Sequence, residues 1–107
     1  MSQNTGKKFD QNKPKIGDMM AHFSQALWKI AELDTYGADK YGADNLFKVE
    51  NGYRRYTDAA LRHFLLETVE ETDKETGLHH AVAVAWNALA RLEILLRTRE
   101  DMHEGFR

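Results

Sequence analysis

Between Arg62 and Asn87 the chain reads RHFLLETVEETDKETGLHHAVAVAWN. Glu67, Glu70, Glu71, Asp73 and Glu75 form an acidic run broken by one cation, Lys74, and His79 and His80 follow soon after Gly77. On a helix, side chains three and four apart lie on one face. His63, Glu67 and Glu70 are therefore expected to share a face, which Asp73 continues if the helix reaches that far. Like charges side by side repel, and a shared cation is one reason to keep them together. A helix end in water also carries charge for no other reason.

Three helices are expected to position these groups. The first starts near Asp18, an N-cap residue type, carries the stripe Met20, Phe23, Leu27, Ile30 and Leu33, and stops by Gly37. The segment YGADKYGADN (36–45) follows, with two glycines, two tyrosines and Lys40 close together. It reads as a corner between helices, or as a loop offering N–H groups and a lysine to an anion. Residues 46–56 read as an irregular loop around Asn51-Gly52, a tight-turn pair. A second helix begins near Thr57 or Asp58, with Ala60, Leu61, Phe64, Leu65 and Thr68 on its buried side. A third runs from Thr76 or Leu78 to about Arg99 along the spine Leu78, Val82, Ala85, Trp86, Leu89, Leu92 and Leu96. Asn87 is a lone amide on that apolar face and must find a partner if buried.

The 107 residues suit one domain: an extended basic arm (1–17), a helical core (18–99) and a tail (100–107). A core of this size is modest, so an all-α fold of three main helices packed with a second copy into an oligomeric bundle is expected. There is no cysteine, which excludes a disulfide framework and a thiolate zinc site and suits a cytoplasmic protein. No run nears the roughly 18 apolar residues of a membrane span. The net charge of −2 does not point to a nucleic-acid binder. Charge is uneven, however. Residues 1–17 carry four lysines against Asp10, and residues 67–75 carry five acids against Lys74. A basic arm with an acidic cluster suits an anionic substrate that binds together with a metal.

Four pieces in order, KFDQNKP (8–14), YGADKYGADN (36–45), DAALRHF (58–64) and E-x-x-D-x-E-T-G-L-x-H (70–80) followed by Asn87, carry a resemblance. The chain resembles the phage-associated dATP/dGTP diphosphohydrolase N-terminal domain family, which is similar to the MazG-like all-α nucleoside triphosphate pyrophosphohydrolases. The resemblance implies metal-bound carboxylates and cleavage of a purine (deoxy)nucleoside triphosphate to the monophosphate and pyrophosphate. Such hydrolysis needs charge neutralisation and a positioned water, and Mg²⁺ or Mn²⁺ takes oxygen ligands. On that reading Glu70 and Asp73 hold the metal. His80 ligates it or orients a ligand. Glu67 or Glu71 acts as base through water. Lys8, Lys13, Lys40 and Arg62 hold phosphate oxygens, with His63 beside them. Tyr36 or Tyr41 stacks a base, and Asn87 fixes an edge or a sugar hydroxyl. A homodimer or tetramer is implied, in the host cytoplasm if phage-encoded.

Two departures from the family pattern stand out. Val69 occupies a position where glycine is usual, and Leu46 one where tryptophan is usual. Glu32 and Asp34 do not reproduce an E-x-x-E pair on the first helix. The metal cluster is therefore either completed by a second subunit or incomplete. In the latter case the chain is a catalytically incomplete nucleotide-binding or host-factor-binding module.

Overall fold

The computed structural model describes residues 5–98. Among them are four α-helices: α1 (Ile16–His22), α2 (Ser24–Tyr41), α3 (Gly52–Leu66) and α4 (His80–Arg97), with a 3-10 turn (Asn45–Lys48) between α2 and α3. The all-α class is as expected. The described residues hold no strand, only one antiparallel bridge, Thr72 with His79, in the loop before α4. No helix among them is long and apolar enough to cross a membrane. The tail expected at 100–107 lies outside the described residues.

The expected first helix is two. It starts at Ile16, so Asp18 sits inside the first turn and not at the cap. It is interrupted at Phe23, whose φ of −118° and ψ of 29° leave the helical region, although hydrogen bonds from Phe23 N–H to Met19 and from Leu27 N–H to Phe23 bridge the break. α2 then passes straight through Gly37 and ends at Gly42. Gly37 has open space around it and merely weakens the helix. Gly42 adopts φ +95°, which a side chain disfavours, so the second glycine of the near-repeat is the one that stops the helix.

α3 starts five residues before the expected Thr57. Asn51 takes the left-handed conformation, φ +55°, and Gly52 opens the helix, so most of the stretch expected as an irregular loop is the 3-10 turn and the start of α3. Thr57 Oγ1 instead donates back to the Tyr53 carbonyl at 2.7 Å, as a mid-helix threonine does. At the other end α3 stops at Leu66. Thr68 Oγ1 donates to the Leu65 carbonyl at 2.7 Å, and Thr68 and Val69 N–H make three-residue turns onto Leu65 and Leu66. These bonds tighten and close the helix. The face expected to run His63, Glu67, Glu70 and Asp73 is therefore not one helix face; it ends at the cap residue Glu67.

The closest packing in the molecule is α3 against α4, and α2 lies against α4 more lightly. Small residues permit it. Ala60, Ala83 and Ala90 are buried, together with Gly52. A Cβ on Gly52 would stand 3.0 Å from Ile94 Cδ1, so glycine sets the approach of the two helices. The core is thin, and the larger side chains lie outside it. Leu61, Phe64 and Leu65 form an exposed apolar face on α3, with Leu65 71% exposed. Ile16, Met20, Phe23 and Trp28 are likewise exposed on α1 and α2.

Candidate functional site

The chain between α3 and α4 is short, and its geometry is dictated by Asp73. Asp73 Oδ1 accepts the N–H of Glu75 at 2.7 Å and of Thr76 at 3.2 Å, the side-chain turn that aspartate favours. Gly77 supplies φ +76°, and its N–H reaches the Asp73 carbonyl at 2.8 Å. The Thr72–His79 bridge closes the loop, and His80 N–H bonds the Glu71 carbonyl at 3.0 Å. α4 therefore starts with His80 turned inward against α3.

Three donors meet as a result. His63 from α3, Asp73 from the loop and His80 from α4 each offer one ligand atom, all within 4.8 Å of one another. His63 Nδ1 and His80 Nδ1 are 2.9 Å apart, and Asp73 Oδ2 is 3.9 Å from His63 Nδ1. His80 is only 1% exposed. Glu70 Oε1 lies 3.0 Å from His80 Nε2, on the far side of that ring. Burial pushes the His63 pKa down, outweighing the upward pull of Asp73; His80 and Arg62 push the same way as burial. A neutral imidazole is the form that ligates a metal.

His63 and Asp73 line a cavity of about 710 Å³ between the C-terminal half of α2, the 3-10 turn, α3 and the start of α4, and His80 lies outside its lining. Lys40, Arg55 and Arg62 bring positive charge to its walls, and Tyr36, Tyr41, Tyr56 and Trp86 bring aromatic surface. Trp86 Nε1 donates to Asp34 Oδ1 at 3.0 Å, and its ring meets Tyr56 edge-on at 5.6 Å. The loop is tied to α2 across this cavity. Glu75 Oε2 accepts both the Tyr36 hydroxyl at 2.7 Å and Lys40 Nζ at 2.5 Å. Those bonds, Lys40 first, hold the Glu75 carboxyl below its usual range; the same contact raises Tyr36 and Lys40.

Of the residues singled out in the sequence, Tyr36, Lys40, Tyr41, Arg62, His63, Asp73 and Asn87 line this one cavity. Asn87 is 7% exposed, and its amide donates to the Ala83 carbonyl at 2.8 Å. His63, expected beside phosphate, stands instead among the cation-ready donors with Asp73 and His80. Glu70, expected to hold a metal directly, stands behind His80. Glu71 Oε1 is 3.1 Å from His79 Nε2, outside the His63–Asp73–His80 group. Glu67, Lys8 and Lys13 are exposed and outside the cavity lining. Sequence reading assigned no role to Glu75 and took Trp86 as plain core. The indole N–H of Trp86 was a usable signal, since it demands a partner when it is covered; the Glu75 contact joins residues 35 positions apart and left none.

A helical protein whose cavity wall carries His63 and Asp73 of such a cluster beside lysine, arginine and aromatic side chains holds the kinds of group that a phosphorylated ligand with a cation uses. The sequence model of the family described as "dATP/dGTP diphosphohydrolase, N-terminal" matches residues 3–104, and the chain belongs to that family. The chain is also 39% identical over 84 residues to the dATP/dGTP diphosphohydrolase of Salmonella phage PMBT28. That match covers 76% of this chain and 27% of the relative, so the chain corresponds to about a quarter of that protein's length. No solved structure matches.

Proposed function

We propose that the chain is a metal-dependent pyrophosphohydrolase that converts a purine (deoxy)nucleoside triphosphate to the monophosphate and pyrophosphate. One observation carries the reading: His63 and Asp73, which converge with the buried His80, stand in the wall of the same cavity as Lys40, Arg55 and Arg62. Family membership and the name of the phage relative support it.

His63, Asp73 and His80 fit a divalent cation by their chemistry. Two are imidazoles and one is a carboxylate, and their donor atoms all lie within 4.8 Å of one another. A cation held there would supply charge neutralisation at the phosphates and would lower the pKa of the attacking water. The protein's own residues do the rest. Arg62 and Arg55 hold phosphate oxygens, and Lys40 joins them when it leaves Glu75. Tyr41, Tyr56 and Trp86 offer faces to the base. His79 lines the cavity with its ring steadied by Glu71, and the pair takes a proton from the attacking water. Asn87, at the cavity wall, addresses the sugar or base edge.

A binding module without turnover is the second reading. It is favoured by the single carboxylate in the metal-ready group and by the share of the phage relative to which the chain corresponds. Pyrophosphate release from a panel of deoxy- and ribonucleoside triphosphates with Mg²⁺ or Mn²⁺, run beside Asp73→Asn, separates the two. Metal-dependent release lost in Asp73→Asn is expected; nucleotide binding without release establishes the second reading.

A further inference from the structure

We infer that the His63–Asp73–His80 group selects a first-row transition metal over Mg²⁺, and that Glu70 is its positioning residue, acting through His80. The inference rests on the metal-dependent reading above and adds the identity of the ion and the role of a carboxylate outside the donor set.

Glu70 carries the first part. A carboxylate only accepts hydrogen bonds, so the 3.0 Å contact between Glu70 Oε1 and His80 Nε2 places a proton on Nε2. A neutral His80 then bears its lone pair on Nδ1, the nitrogen that faces His63 Nδ1 at 2.9 Å. The ring is 1% exposed, so solvent offers this lone pair nothing. A carboxylate on the distal nitrogen of a ligating histidine fixes its tautomer and raises its basicity. Glu70 is part-exposed and in the loop beyond α3, and its contact to His80 spans ten residues, so helix spacing does not produce it.

Asp73 carries the second. Its Oδ1 is taken by the N–H groups of Glu75 and Thr76, which fixes the carboxylate plane. Its Oδ2 stands 3.9 Å from His63 Nδ1, beyond hydrogen-bond distance, and faces the two imidazole nitrogens. Two nitrogens and one oxygen thus converge from three separate elements. Imidazole suits the later ions Fe²⁺, Co²⁺ and Zn²⁺, whereas Mn²⁺ leans toward oxygen donors and Mg²⁺ demands them and keeps its waters.

Calorimetric titration of the full chain with Co²⁺, Zn²⁺, Mn²⁺ and Mg²⁺, without nucleotide, tests the inference. Co²⁺ and Zn²⁺ are expected to bind at least about tenfold tighter than Mg²⁺, and bound Co²⁺ is expected to show visible bands that nitrogen ligation shifts. Glu70→Gln is expected to weaken Co²⁺ binding about 10- to 100-fold with helix content unchanged. Should that variant fail to fold, ring-nitrogen NMR of the unaltered chain decides the point: His80 is expected as the Nε2–H tautomer, with its Nδ1 resonance displaced by Zn²⁺. Equal or tighter Mg²⁺ binding, unaltered Co²⁺ affinity in folded Glu70→Gln, or an Nδ1–H tautomer overturns the inference. Pyrophosphate release with Mg²⁺ bound as tightly as Co²⁺ overturns it while leaving the hydrolase reading intact. Tight Co²⁺ binding without release from any nucleotide sustains it while overturning that reading.

Discussion

His80 holds two partners on its two ring nitrogens, Glu70 and His63, while almost wholly covered by protein. Truncating it leaves a void and strands both partners, so His80→Ala is expected to lower stability by about 1 to 3 kcal/mol, measured by urea unfolding. His79 differs in kind. Its side chain is more than half exposed and pairs only with Glu71 at the cavity rim. His79→Ala is expected to leave stability and metal binding near the unaltered values and to reduce kcat about 10²- to 10⁴-fold if the pair serves as base. The two variants side by side separate a residue that builds the site from one that works in it.

At the scale of elements, the contact of α3 with α4 depends on Gly52. Gly52→Val is expected to destabilise the chain by about 1 to 3 kcal/mol, because the added atoms enter space already used by Ile94. Ile94→Ala in the same chain is expected to restore part of that loss, which a double-mutant cycle of unfolding free energies measures. The tie between α2 and the loop is electrostatic. The folded Glu75 pKa is depressed, so its stabilising contact is present above the ordinary carboxylate range and is lost as pH falls through the folded pKa. Acidification from neutral pH is therefore expected to cost the unaltered chain more stability than Glu75→Gln, read by urea unfolding at both pH values. The groups are substantially exposed, and added salt is expected to shrink the difference.

For the molecule as a whole, buried alanines and a glycine make a narrow seam while leucines and aromatics face outward. Apolar area of that kind on a small domain marks an interface. We expect the chain to self-associate through the Leu61, Phe64 and Leu65 face, and Leu65→Lys to shift it toward monomer in light scattering coupled to size exclusion. A monomeric unaltered chain would remove this expectation.

Helical class, the four ordered family pieces and, of the cavity wall, Tyr36, Lys40, Tyr41, Arg62, His63, Asp73 and Asn87 were legible in the sequence, because apolar period and local motifs are properties of neighbours along the chain. Helix ends were not. Gly37 and Gly42 look alike in sequence, and only the packed chain made one a tolerated helix residue and the other the stop. Thr57 looks like a cap and is a mid-helix residue, since α3 already begins at Gly52. The acidic run suggested carboxylates stacked on one face. In three dimensions the helix closes at Leu66, Asp73 is spent on one oxygen building a turn, and Glu70 swings behind His80. Which residues are rich in chemistry was thus set by the sequence alone. Which of them meet was decided by tertiary structure, because residues 63, 73 and 80 converge only after a loop folds back and two helices close to the distance that glycine and alanine allow.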